Sequence, residues 1–299
     1  MRISQRTAYI ISGGLVLFAV LPSSWYVSFL HVFWPPGSSG ASRADSEGDL
    51  WRQLIYQGAA DLKLDQYEEA ESTFRDALEL ADRLYSKTHH RRLQSLRLLR
   101  MALLDQDKSS EAVTVLDEEV DIKAATLPED DVSLLESMGI LADTLYQAGD
   151  AVRAASTAQR IIGIAEAHGN PVCEPVTHAL MTLSKCDLDS GNITAAGEHY
   201  RRVLDIEKQL YGEISVPVVF AEFYLAGIAV SQRNNQEVDR QIEKCKNIIK
   251  SLPRPLDRED VEMLSAFMLG LNTIGLAAQA VEIRQLLESL HPGVFAKDG

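Results

Sequence analysis

The amino-acid sequence predicts an all-α fold: a right-handed α-solenoid of about six helical hairpins, preceded by one apolar N-terminal helix. Two observations lead to this prediction. A small residue recurs at one position every 42 residues through most of the chain, and an uncharged apolar stretch stands near the N-terminus. The composition agrees, because helix-forming residues dominate a chain with 46% hydrophobic and 24% charged residues.

The N-terminal segment 8–34 contains no Asp, Glu, Lys or Arg, and Arg2 and Arg6 stand just before it. A helix of this length would measure roughly 35–40 Å, enough to cross a bilayer of about 30 Å. Pro22 ends the most apolar run after about 14 residues, which is the length of a signal-peptide core. The sequence therefore leaves an uncleaved transmembrane anchor and a cleaved signal peptide open, with a buried core helix as the remaining alternative.

A stretch rich in Pro, Gly and Ser follows, and it predicts a flexible linker. We therefore divide the chain into residues 1–34 (transmembrane anchor or signal peptide), 35–47 (linker) and 48–295 (solenoid). Because basic residues flanking an apolar segment stay in the cytoplasm, the solenoid is predicted on the non-cytoplasmic side. It is held there by a single-pass anchor or, after cleavage, is exported in soluble form.

The repeated position, which we call the marker, is a small residue in six units spaced 42 residues apart. The markers are Ala70, Ala112, Ala154, Ala196, Val238 and Ala280. A small residue at a fixed spacing indicates a place where two helices cross closely. Mostly apolar residues recur 16 and 13 residues before the markers and four and seven after them, with Glu222, Gln57, Arg284 and Glu119 as exceptions, and turn-forming residues recur five before them. Each unit is thus a helical hairpin, and six stacked hairpins form a superhelix with a concave groove.

The segment Tyr67–Leu78 reads Tyr-Glu-Glu-Ala, then Phe, Ala and Leu at helical spacing. It resembles the second helix of a tetratricopeptide repeat, and Gly58 matches that family's small residue in the first helix. The 42-residue period exceeds the usual 34 and is similar to the longer-helix subtype of kinesin light chains. The resemblance implies a scaffold that binds a protein or peptide, and it implies neither catalysis nor a cofactor.

Three residues depart from the family pattern. Glu119 and Arg284 occupy positions that are normally apolar, and Arg100 replaces the small residue of the second unit. We expect these units to pack less tightly. The sequence also shows no additional capping helix after Leu290, so we expect the outer face of the last hairpin to be covered by a partner. A second copy of the chain is the alternative to a foreign partner.

The resemblance implies that the first helix of each hairpin lines the groove. The candidate groove residues are Arg52, Tyr56, Lys63, Arg97, Asp143, Tyr146, His178, Lys185, Phe220 and Tyr224. Basic side chains among aromatic ones suit an extended peptide that carries an acidic group.

Catalytic and metal-binding motifs are missing from the sequence, which has no metalloprotease helix, phosphate-binding loop or nucleophile elbow. We therefore predict no catalytic residue, metal or cofactor, and the alternative is an enzyme site around His178 with Asp143 or Asp189. A net charge of −14 argues against nucleic-acid binding. The three cysteines lack metal or redox spacing, and whether Cys173 pairs with Cys186 stays open.

Overall fold

The computed structural model describes residues 43–252, 256 and 258–292. This part of the chain contains twelve α-helices and no strand, which confirms the all-α prediction. In chain order they are α1 (Arg43–Lys63), α2 (Tyr67–Leu84), α3 (His90–Asp105), α4 (Ser109–Thr126), α5 (Val132–Gln147), α6 (Ala151–Ala167), α7 (Glu174–Asp189), α8 (Ile193–Tyr211), α9 (Val216–Ser231), α10 (Asn235–Ser251), α11 (Arg258–Thr273) and α12 (Ala277–Leu290). They pair as six consecutive hairpins, each with a first and a second helix.

The contacts divide the described residues into an N-terminal unit, residues 43–164, and a C-terminal unit, residues 165–292. In the N-terminal unit α1 packs against α2, α2 against α3, α3 against α4 and α4 against α5. In the C-terminal unit α7 packs against α8, α8 against α9, α9 against α10 and α11 against α12, while α9 also contacts α11 and α10 contacts α12. Packing between sequence neighbours is what a stack of repeats requires.

The six turns inside the hairpins share one construction. The residue five before each marker has positive φ: Asp65, Asp107, Gly149, Gly191, Arg233 and Gly275. The next N–H in the chain donates to the carbonyl five residues earlier, at 2.7–2.9 Å in all six turns. This left-handed residue with a six-to-one hydrogen bond ends the first helix and starts the second after three residues. The turn therefore follows the same 42-residue period as the marker.

All six markers are buried, each in the first turn of a second helix. The close helix crossing is best seen in the first hairpin, where Gly58 of α1 faces the fully buried ring of Phe74 in α2. A Cβ placed on Gly58 would lie 2.5 Å from Cε1 of Phe74. The close crossing of α1 and α2 therefore requires glycine at position 58, because any side chain there would meet the Phe74 ring.

Gly58→Ala is expected to lower the free energy of unfolding by about 1–3 kcal/mol, because the new methyl group displaces the Phe74 ring. Gly163→Ala in α6 is the matched control. A Cβ there would meet no atom within 4 Å, so the better helix propensity of Ala should stabilise the protein by about 0.5–1 kcal/mol. Thermal denaturation of both variants checks the pair, and equal shifts in the same direction would contradict the proposed crossing.

Two of the three residues that depart from the family pattern form an ion pair with each other. Arg100 of α3 and Glu119 of α4 are both buried, and Nη1 of the arginine lies 2.9 Å from Oε2 of the glutamate. Arg284 lies in the last hairpin, where its exposed side chain contacts Glu288 at 3.2 Å. The looser packing expected from these residues is therefore replaced by an ion pair in one hairpin and by solvent exposure in the other.

The predicted N-terminal anchor or signal segment, residues 1–34, lies outside the described residues. None of the helices within residues 43–252 and 258–292 combines the length and apolar character that a membrane crossing needs. The first helix begins at Arg43, inside the predicted linker 35–47. The boundaries proposed for the three segments stay predictions.

Cys173 and Cys186 stand at the two ends of α7, the first as its N-cap residue and the second in its last turn. Thirteen residues along a helix separate their Cα atoms by about 20 Å, beyond the roughly 7 Å limit for a disulfide. Neither forms a disulfide. Burial, with Asp189 and Asp187 nearby, raises the pKa of the Cys186 thiol to about 11, which keeps it protonated at neutral pH.

Candidate protein-binding surface

The candidate binding surface is the side of the first helices that no other helix of the same unit covers, and we call it the first-helix face. Two repeat positions define it. The residue 18 before the marker is exposed or half-buried in five of the six hairpins: Arg52, Gln94, Glu136, His178 and Glu262. The residue seven before the marker is exposed or half-buried in all six: Lys63, Asp105, Gln147, Asp189, Ser231 and Thr273. These residues are polar, whereas those that face the neighbouring helices are mostly apolar.

The basic residues predicted for the N-terminal unit lie on or beside this face. Lys63 ends α1 and Arg97 stands in the middle of α3, and both are exposed. Arg52 is half-buried and forms an ion pair with Asp49, one turn earlier in α1, at 2.5 Å. An exposed ion pair of this kind contributes little stability, so the guanidinium can exchange partners at low cost.

Asp143 and Tyr146, both in α5, differ in exposure. Asp143 is half-buried, and its Oδ2 accepts a hydrogen bond of 2.8 Å from the Gln147 amide. Tyr146 is buried. The tyrosine therefore contributes more to packing within the unit than to its surface.

In the C-terminal unit, His178 of α7 is exposed and Lys185 of the same helix is buried. Phe220 of α9 is buried and packs edge-on against Phe267 of α11, with ring centroids 6.1 Å apart. Of these three predicted groove residues, only the histidine presents much of its surface to a ligand.

Tyr56 and Tyr224 occupy the same repeat position, 14 residues before the marker. Tyr224 is buried and stacks on Tyr200 of the preceding hairpin, with ring centroids 4.8 Å apart. Tyr56 is 51% exposed in the first hairpin. The position therefore faces the preceding hairpin. It differs from the first-helix face by only four residues, or about 40° around the helix, which is too small an angle to separate by sequence periodicity.

The sequence prediction omitted Glu136 and Glu262, which lie on the same face as Arg52 and His178. The signal that finds them is the fixed distance of 18 residues to the marker. The face thus alternates basic and acidic groups along the chain, instead of being mainly basic.

The basic run 87–92 packs partly into the fold. The guanidinium carbon of Arg91 lies 5.0 Å from the ring centroid of Trp51 and 5.1 Å from that of Tyr85. Arg92 is buried and forms ion pairs with acidic residues of α2 and α4. These two arginines join α3 to its neighbours through cation–π and ionic contacts.

The alternative catalytic pairs find little geometric support. His178 and Asp189 stand eleven residues apart on α7, so about 16 Å of helix separates their Cα atoms. Asp143 belongs to the other unit. Within the described ranges, no cluster of three or more His, Cys, Asp or Glu side chains could hold a metal ion.

The described helices form hairpins with the fold seen in tetratricopeptide-repeat proteins. No family model matches the sequence, and no curated protein matches it. Among solved structures, the chain is similar to nearly identical TPR-like repeats of a Podosopora anserina protein assigned as a kinesin light chain. The identity is 20% and the TM-score 0.54, over 72% of this chain and 98% of that chain.

Two further structures share the fold. BtubC (BKLC) from P. vanneervenii is 18% identical with a TM-score of 0.56, over 76% of this chain and 94% of its own. The second is a signal-transduction ATPase (STAND) protein with a tetratricopeptide-repeat sensor, from Pyrococcus horikoshii. It is 12% identical with a TM-score of 0.59. That match covers 91% of this chain and 39% of the other. At these identities the likeness establishes the fold, which agrees with the resemblance seen in the repeat pattern.

Proposed function

We propose that this protein is a non-enzymatic adaptor that binds a protein or peptide on the first-helix face of its repeats. The observation that carries the proposal is the polar face itself. Of the two repeat positions, one stays accessible in five of the six hairpins and the other in all six, while the markers are buried. A surface that repeats along a stack of helices suits an extended ligand.

The charges on this face indicate the chemistry of the ligand. In the N-terminal unit, Arg97 and Lys63 are exposed; on α5, Glu136 is exposed and Asp143 is half-buried. Arginine forms paired hydrogen bonds with carboxylates, and acidic residues on the next first helix select a basic group. The ligand is therefore an extended segment with charges of both signs, and its acidic group binds at α3.

The location of the adaptor rests on the N-terminal sequence. We propose a single-pass anchor with the repeats on the non-cytoplasmic side, because the uncharged segment 8–34 follows two arginines. An exported soluble form after cleavage is the alternative. The mass of the mature protein decides between them, because cleavage would remove the apolar segment.

Affinity capture with the full chain in detergent micelles tests the adaptor proposal. Arg97→Ala is expected to reduce recovery of the specific partner about tenfold or more, since a charged hydrogen-bonded contact contributes about 1.5–3 kcal/mol. Arg160→Ala is the matched control, because Arg160 is exposed on the second helix α6 of the same unit. Equal recovery with the Arg97 variant and the native chain would contradict binding at this face.

A further inference from the structure

The first hairpin exposes a repeat position that is buried in every later hairpin. Thirteen residues before the marker, Gln57 is exposed. The equivalent residues of the other hairpins are buried and apolar: Leu99, Leu141, Leu183, Leu225 and Phe267. Tyr56 and, at 68% exposure, Leu64 lie on the same side of α1 and its turn, and the position of Leu64 is also exposed in later hairpins, at Ala148, Ser190 and Gln232. This is the side on which a preceding hairpin would stack, and we call it the leading face.

The last hairpin exposes the complementary surface. Four residues after the marker, the side chain of Arg284 is exposed. The equivalent residues of the other hairpins are buried: Phe74, Leu116, Ala158, Tyr200 and Ile242. Val281, one residue after the marker, is 55% exposed; of its equivalents, Glu71, Val113 and Gly197 are buried, Ala155 is half-buried and Asp239 is exposed. We call this side of α12 the trailing face.

Contacts between hairpins within each unit show which repeat positions meet. The position four after a marker meets the position 14 before the next marker, as in the stack of Tyr200 on Tyr224. The position one after a marker meets the position six before the next marker, as where Glu71 Oε2 accepts a 2.8 Å hydrogen bond from Gln106. This register is a property of the repeat and applies to any further hairpin stacked in the same way.

We propose that the trailing face of one copy stacks on the leading face of a second copy in the register of the repeat. Arg284 of the first copy then lies over the Tyr56 ring of the second, in place of the Tyr200–Tyr224 stack. Val281 packs against Leu64, in place of the Glu71–Gln106 contact. A guanidinium over a tyrosine ring is a favourable cation–π pair, and the two aliphatic side chains remove apolar surface from water.

The chemistry of the two faces favours this occupant. A leading face on a leading face would place Tyr56 on Tyr56 without a cation, and a trailing face on a trailing face would bring two Arg284 side chains together. Only the head-to-tail arrangement pairs the cation with the ring. Gln57 stands where later hairpins have leucine or phenylalanine, so the leading face also tolerates water. The association is therefore reversible and depends on concentration.

Head-to-tail stacking uses unlike surfaces of the two copies, so it either closes into a ring or extends into a filament. The first-helix face takes no part in it. A failure of this proposal therefore leaves the adaptor proposal intact, and a partner bound to the first-helix face need not compete with self-association.

Disulfide cross-linking of the full chain in detergent micelles tests the proposal. The background carries Cys173→Ser and Cys186→Ser, and the buried Cys245 is kept. One preparation carries Leu64→Cys and a second carries Val281→Cys. The two positions are the equivalents of Gln106 and Glu71, whose side chains touch within the N-terminal unit. Mild oxidation of the mixture is expected to give the mixed dimer as the main product.

The matched control replaces Leu64→Cys with Val152→Cys, because Val152 is more accessible, at 82% against 68%, and lies in the first turn of α6. That mixture should give several-fold less mixed dimer. Adding Arg284→Glu to the Val281→Cys chain should lower the yield several-fold, while the helical circular dichroism stays the same. Cross-linking of each preparation only with itself, or equal yields from the test and control mixtures, would overturn the proposal.

Discussion

Arg100→Ala is expected to lower the free energy of unfolding by about 3–5 kcal/mol, because it leaves a buried carboxylate without its strongest partner. Arg100 is 3% exposed and Glu119 is 2% exposed. The alanine variant keeps the negative charge of Glu119 in the interior but removes the guanidinium at 2.9 Å. Urea denaturation followed by circular dichroism measures the loss.

The surroundings of Glu119 explain why the native pair is tolerated. Its Oε1 lies 3.1 Å from Nζ of Lys123 and accepts a 2.8 Å hydrogen bond from the Ser137 hydroxyl. Burial alone would raise the pKa of Glu119, but Arg100 and Lys123 outweigh it and hold that pKa below its ordinary value. The carboxylate is therefore charged at neutral pH, and it needs both cations.

A double variant, Arg100→Met with Glu119→Leu, is the control for this prediction. Replacing both members of a buried ion pair with apolar side chains of similar size is often neutral or stabilising. Lys123 keeps its hydrogen bonds to the Ser133 carbonyl and the Ser137 hydroxyl, at 3.0 and 2.7 Å. We therefore expect the double variant to recover most of the stability. A double variant as unstable as Arg100→Ala would show that the pair is essential to the packing itself.

The sequence predicted the hairpins because their period is carried by several positions at once. The buried marker, its apolar satellites and the turn residue all repeat every 42 residues. A residue that departs from the pattern at one position does not hide the period, because the other positions still show it. Non-glycine residues such as Asp65 and Arg233 take the same positive φ as the turn glycines, so the turn survives substitution at the cost of some backbone strain.

The pairing of Arg100 with Glu119 could not be predicted in the same way. Each residue departs from the repeat by itself, and each was expected to loosen its unit. Their positions, twelve before and seven after the same marker, bring them together across one hairpin. Periodicity records which residues face inward, but it does not record which two inward-facing residues touch.

The candidate surface was predicted only in part, for a related reason. His178 and Arg97 are exposed as expected, whereas Phe220 packs against Phe267 of the next first helix. Aromatic residues at helical spacing suit both a groove and an interface between hairpins. Whether such a residue lines a groove or an interface depends on the neighbouring helix. The sequence of a single helix does not show which helix that is.

Glu207→Gln is expected to stabilise the protein by up to about 3 kcal/mol at pH 8 and by less than about 1 kcal/mol at pH 5. Glu207 lies in α8, where burial raises the pKa of its carboxyl to about 7 from an ordinary 4.5. A hydrogen bond from Thr177 acts against this rise, and the nearby charge of Glu174 adds to it. Within the described residues, Oε2 of Glu207 is buried without a hydrogen-bond partner.

The direction follows from proton binding. Between pH 4.5 and about 7 the folded protein keeps this proton and the unfolded chain has lost it, so folding binds a proton. Stability attributable to Glu207 is therefore highest below pH 4.5 and declines as the pH rises to about 7. Glutamine is a neutral mimic of the protonated side chain, so its advantage appears over the same interval. Denaturation midpoints measured at pH 5, 6, 7 and 8 give the curve.

Glu174→Gln separates the two causes of the raised pKa. Glu174 begins α7, and its Oε1 accepts a hydrogen bond from the Tyr211 hydroxyl. If its charge contributes, the glutamine variant should make the decline in stability smaller and end it at a lower pH, because the negative charge that opposes ionisation of Glu207 is gone. If burial acts alone, the decline stays in place. A Glu207→Gln advantage that is equal at pH 5 and pH 8 would show that the native carboxyl does not titrate in this range, and that the substitution acts through packing.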